Sequence, residues 1–145
     1  MSINSNKPGP EGAGTGPKGS VDELVSAGKY GEAAAAAEAQ GDFERAAELF
    51  ERVWDFDSAA HCAERAGDLS RALSNALDAR ASDEVERLTS ALAGSGEDGQ
   101  RDALAILSQK RSFAAAAPLA EALGETERAI ELYKSAHREL DAARL

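Results

Sequence analysis

Few residues in this chain could do chemistry. His61 and Cys62 are adjacent, and neighbouring side chains on a helix point about 100° apart, so the two cannot share a metal. His137 lies far off in sequence, and no third ligand stands at a metal-site spacing. Neither a metal nor a cofactor is expected. Cys62 is the one cysteine, so it can form no internal disulfide, which fits a reducing cytosol. Carboxylates are plentiful but spread along the chain, whereas acid–base catalysis needs two held across a substrate with separated pKa values. The segment GEDGQRDA lacks the spacing of a phosphate-binding loop. No enzymatic activity is expected.

Binding is the other chemistry to consider. Trp54 is the only tryptophan. It is either an aromatic anchor for a partner, a role in which tryptophan is enriched, or a bulky ring filling space among alanines. The thin, alanine-rich core favours the second. Asp57, His61, Glu64 and Arg65 fall at i, i+4, i+7 and i+8, one face of a helix. Glu84 and Arg87 extend this strip if alternate helices line one side. A solvated face has the same composition, and that bland alternative is the favoured one. The candidate partner-binding residues are therefore Trp54, Asp57, His61, Glu64, Arg65, Glu84 and Arg87, and the acidic members suit a basic ligand.

These residues hang on a repeat of thirteen. GKYGEAAAAAEAQ, GDFERAAELFERV, WDFDSAAHCAERA and GDLSRALSNALDA follow one another from Gly28, and their sixth column reads Ala33, Ala46, Ala59, Ala72. The next unit places Val85 there. After a five-residue break at 93–97 the column resumes as Ala103, Ala116, Ala129 and Ala142. Such periodicity marks a stacked-repeat architecture. Thirteen residues suit a helix of about ten residues plus a tight turn. Gly28, Gly41, Gly67 and Gly124 open units, where a left-handed residue ends the preceding helix; Asp42, Asp55 and Asp68 follow as N-caps. Phe43, Ala46, Ala47, Leu49, Phe50 and Val53 form a helical stripe. In its ninth column, beside Leu49, Leu119 and Leu132, Cys62 is expected to be a small buried hydrophobe.

Four local features complete the layout. Met1–Gly19, rich in Gly, Pro and Asn, reads as a disordered tail, leaving 20–145 as the repeat domain. Ser20 and Glu23 form a capping box for a helix Val21–Ala27. The break at 93–97 reads as a flexible loop where the stack bends. Pro118, deep in RSFAAAAPLAEAL, should kink or restart its helix, because it removes a backbone bond and clashes with the preceding turn.

The phrase GDFERAAELFERV, echoed by GETERAIELYKSA, resembles the second-helix half of a tetratricopeptide repeat. The resemblance spans about Val21–Leu145, with hairpins of 26 residues instead of the 34 usual in that family. It implies an all-α, right-handed α-solenoid of short antiparallel helical hairpins whose groove binds peptides or protein subunits, and it brings no catalytic residues.

The composition agrees. Aromatics make up 5% and the net charge is −10, so nucleic acid and anionic membrane surfaces are repelled and a helical-repeat RNA binder is disfavoured. No apolar run reaches membrane-spanning length, and no secretory signal opens the chain. The expectation is a cytoplasmic protein–protein interaction scaffold. Its Ala-, Gly- and Arg-rich vocabulary suggests a bacterial source. The alternative is self-association of a larger regulatory protein through the C-terminal end, where Ile130, Leu132, Tyr133, Leu140 and Leu145 crowd together.

Overall fold

The computed structural model describes residues 18–145, and among these it contains ten α-helices and no strand. They are α1 (Lys18–Ser26), α2 (Tyr30–Ala39), α3 (Phe43–Arg52), α4 (Phe56–Arg65), α5 (Leu69–Asp78), α6 (Ser82–Gly94), α7 (Glu97–Gln109), α8 (Phe113–Ala122), α9 (Thr126–Ser135) and α10 (Glu139–Arg144). The expected tail lies outside the described residues except for Lys18 and Gly19, which open α1. The helices group into two compact units, the first ending at Asp68 and the second covering Leu69–Leu145.

The thirteen-residue period becomes a ten-residue helix and a three-residue turn. Helices α2 to α5, α8 and α9 each begin at the third residue of a unit and run ten residues. Asp42 and Asp55 cap α3 and α4 as their positions imply, accepting from the amides of Arg45 at 3.3 Å and Ser58 at 3.2 Å. Helices this short are marginal alone, so each must lean on neighbours. Within each unit every helix packs on its successor, an arrangement compatible with a helical repeat. In the first unit successive helices run antiparallel: Arg52, ending α3, stacks 4.2 Å over the ring of Tyr30 at the start of α2, and Arg65, ending α4, 4.4 Å over Phe43. Alternate helices run parallel and are tied by ion pairs. Arg45 meets Asp22 in the first unit; in the second, Lys110 meets Asp78 at 2.9 Å and Arg144 meets Glu121 at 2.7 Å. Exposed pairs are screened by solvent, so they fix register more than they stabilise.

Burial follows the columns. Ala33, Ala46, Ala59, Ala72, Ala103, Ala116 and Ala129 are all 0% exposed, and Ala142 is buried. Only Val85 breaks the sixth column, at half-buried. Methyl-sized side chains let helix axes approach closely, and the tenth column completes each seam with Ala37, Phe50, Ala63, Ala76, Leu107, Ala120 and Tyr133, all buried. Cys62 is fully buried, as expected.

Four expectations need correction. Helix α1 starts two residues ahead of Ser20, so that serine lies inside the first turn and does not cap it. A Ser-x-x-Glu pattern only signals a possible start, and with Ser20 itself helical the box is not formed. Val53 is the C-cap of α3, off the helical stripe, and is 41% exposed. The loop at 93–97 shrinks to Ser95 and Gly96: its five residues become three extra residues on α6, three on α7 and one fewer in the turn. Gly99 makes so tight a reversal possible, because a Cβ there would lie 2.0 Å from the Leu92 carbonyl oxygen. Pro118 does not restart the chain; α8 runs through it from Phe113 to Ala122. Pro118 and Ala114 are exposed, so water can satisfy the Ala114 carbonyl that lost its amide partner. No helix among the described residues is long and apolar enough to cross a membrane.

Candidate functional site

The turns carry the candidate residues of each unit, and all but the α6–α7 turn share one hydrogen-bonding pattern. In the α3–α4 turn the Trp54 amide donates to Glu51 and the Asp55 amide to Phe50, both at 3.0 Å; the Gly41–Asp42 and Arg111–Ser112 pairs repeat this. The first residue of each pair must then adopt the left-handed conformation, where glycine has no Cβ to clash. Turns after even-numbered helices put glycine at positive φ throughout, Gly41, Gly67 and Gly124 at 81, 85 and 79° and Gly96, in the shorter α6–α7 turn, at 126°. Turns after odd-numbered helices do not. After Gly28 they place Trp54, Arg80, Arg111 and His137 there, at φ 64, 58, 64 and 61°. A left-handed L-residue costs about 1–2 kcal/mol, and all four side chains are exposed.

Trp54 is 79% exposed, which overturns the expectation that its ring fills the core. The left-handed turn position aims the side chain outward, away from the alanine seams. Its ring meets only Phe56 in an aromatic pair, with centroids 5.9 Å apart and planes tilted by 47°, and exposed Val53 adjoins it in sequence.

The other expected residues divide between the two units. Asp57, His61 and Arg65 are exposed on α4 and Glu64 is half-buried there. Arg65 is engaged over Phe43, so its stem and charge serve the α3–α4 contact as well as the surface. Glu84 and Arg87 lie on α6 and bond each other, with Arg87 Nη2 2.6 Å and Nε 2.9 Å from Glu84 Oε1. Cys62 offers no nucleophile, since burial, with the Glu38 carboxylate adding to it, pushes the thiol up to about 11. Among the described residues no three His, Cys, Asp or Glu side chains are grouped to hold a metal.

A cleft of about 520 Å³ opens in the second unit against α6. Leu77 and Val85 form its apolar floor and rest on the unit's core; Arg80, Ser82, Ser112 and Ala115 stand around it. By helix geometry its α6 lining, Ser82, Val85, Glu86, Thr89 and Ser90, follows one face, and Glu84 and Arg87 point away from it. Sequence reasoning missed this cleft. Its signal was present: Val85 and Thr89 stand in the sixth and tenth columns, where other helices bury their seams.

The C-terminal end is only partly as expected. Leu132 and Tyr133 are buried in the core and Ile130 is half-buried, whereas Leu140 is 89% and Leu145 38% exposed. Tyr133 donates to Glu121 Oε1 at 3.0 Å, and Arg144 grips the same carboxylate. Those bonds, the Arg144 one foremost, hold Glu121 below the usual carboxylate range.

Comparison with protein-family models, curated proteins and solved structures yields no match to this chain, so its geometry alone must speak for its function.

Proposed function

We propose that this chain is a cytoplasmic protein–protein interaction module without enzymatic activity, a right-handed tetratricopeptide-like solenoid that presents side chains from its turns. One observation carries the reading. The left-handed positions after α3, α5, α7 and α9 hold Trp54, Arg80, Arg111 and His137, although glycine, used at all the alternate turns, would relieve the backbone. Exposed side chains that weaken the fold need another reason to be there, and partner contact supplies one. In the first unit Trp54 is the apolar anchor. Asp57, one turn on and without an ion-pair partner among the described residues, favours a basic contact beside it.

Trp54→Gly tests the reading, because glycine already occupies this backbone conformation at Gly41 and Gly67. The variant should fold as stably as the parent and lose the partners that the parent captures from its native host. Equal capture by both proteins would remove Trp54 from the site. Self-association is the second reading, and the observation behind it is Leu140, 89% exposed on α10. Light scattering at high concentration separates the two: a dimer that Leu140→Glu dissociates supports self-association, and a monomer rejects it.

A further inference from the structure

We propose that the cleft beside α6 binds a short extended peptide in which an apolar side chain is flanked by carboxylates. The inference rests on the reading of the chain as an interaction module and names a ligand class for its second unit. Three observations meet there. First, α6 withholds the small seam residues that its neighbours use. Val85 and Thr89 replace the buried residues of the sixth and tenth columns, and a cavity of about 520 Å³ stands where a seam would be. That volume lies within the range of small-ligand sites. Second, the Thr89 Oγ1 on this face is shielded from solvent and has no hydrogen-bond partner within the chain, so a polar group seated in the cleft could satisfy it.

Third, Arg80 lines the cleft and Arg111 precedes Ser112, which also lines it. In a chain of net charge −10 several cations of this unit are neutralised, Lys110 by Asp78, Arg101 by Glu97 and Glu125, Arg138 by Asp141 and Arg144 by Glu121, although among the described residues Lys134 is not. Among the described residues neither Arg80 nor Arg111 has a carboxylate partner; Arg111 stacks 5.3 Å over Phe113 instead. Arg80, a guanidinium in the lining of a cleft with an apolar floor, selects an anion attached to an apolar group, and Arg111, next in sequence to the lining residue Ser112, adds positive charge nearby. The hydroxyls of Ser82, Ser90 and Ser112 can serve the peptide's own amides and carbonyls. Glu86, also in the lining, repels a polyphosphate and limits how much negative charge the site accepts. A peptide therefore fits better than a nucleic acid.

The test uses the full chain and fluorescein-labelled, C-terminally amidated Gly-Glu-Leu-Asp-Asp-Gly, with Gly-Gln-Leu-Asn-Asn-Gly and Gly-Glu-Ser-Asp-Asp-Gly as comparisons, followed by anisotropy. The acidic leucine peptide should bind, and each comparison should bind at least about tenfold more weakly, the loss expected for one charge-assisted contact or one buried side chain. Arg80→Gly, which puts glycine where the backbone favours it, should weaken binding about tenfold without lowering thermal stability. Trp54→Gly, in the other unit, should leave this affinity unchanged. No binding, equal binding of the neutral peptide, or indifference to Arg80→Gly would overturn the proposal. So would a labelled single-stranded oligonucleotide that binds as well as the peptide and with the same Arg80 dependence. Host-partner capture that depends on Trp54 while the peptides fail would sink this inference and leave the interaction-module reading standing.

Discussion

Two sets of turns differ in what they do with the same backbone. After the even-numbered helices glycine takes the left-handed residue every time, and the turn is a plain reversal. After α3, α5, α7 and α9 the same hydrogen bonds are made around a tryptophan, two arginines and a histidine, all exposed. The geometry is shared, so folding alone does not explain the larger side chains. On the proposed reading, one set of turns serves the fold and the other gives up stability for surface chemistry.

Substitutions can break or sharpen this contrast. The largest effect belongs to a helical glycine beside one of the glycine turns. Gly99→Val, next to the α6–α7 reversal, would drive a Cβ to within 2.0 Å of a backbone oxygen, and chemical denaturation should show a loss of about 3 kcal/mol or more. Gly41→Ala comes next. Nothing lies within 4 Å of a Cβ there, so only the backbone conformation is penalised, and a loss of about 1 kcal/mol is expected. Arg80→Gly, in the contrasting set, should change stability in the opposite direction by up to about 1 kcal/mol, since no side-chain partner is lost. A drop for Arg80→Gly equal to that for Gly41→Ala would erase the distinction between the sets.

The smallest effect is expected at α10, which follows the His137 turn. Its Arg144 is tied to Glu121, whose carboxyl is held below its ordinary value by Arg144 and then Tyr133. A lowered folded-state pKa contributes stability above the unfolded value of about 4.3, and the contribution fades as pH falls through the folded value. Hydrogen exchange of the α10 amides, taken relative to the intrinsic exchange rate at each pH, should therefore speed up on acidification through that window. Glu121→Gln should speed it at neutral pH and flatten the pH dependence.

Much of the layout was legible because a thirteen-residue period leaves so little choice. The alanine column, the ten-residue helices, the caps at Asp42 and Asp55 and the burial of Cys62 all follow from spacing. What spacing could not tell was where a turn residue aims its side chain. Trp54 reads as core by composition and is surface by backbone conformation. Residues 93–97 read as loop because they are rich in glycine, yet Gly99 is there for close approach and the helices on both sides lengthen to absorb the extra chain. Pro118 is harmless because its ring and the carbonyl it orphans face solvent, a fact that depends on packing and not on the local run of residues. The strip of Asp57, His61, Glu64 and Arg65 does share α4, but α6 shows its cleft on one side and Glu84 and Arg87 on another.

The most direct measurement is the urea unfolding midpoint of a variant with glycine at positions 54, 80, 111 and 137 together. If those side chains serve partners and strain the fold, the midpoint should equal or exceed that of the parent, with the helical circular-dichroism signal intact. A midpoint well below the parent's would show that the large residues hold the turns together, and the case that they serve partners in either unit would fail.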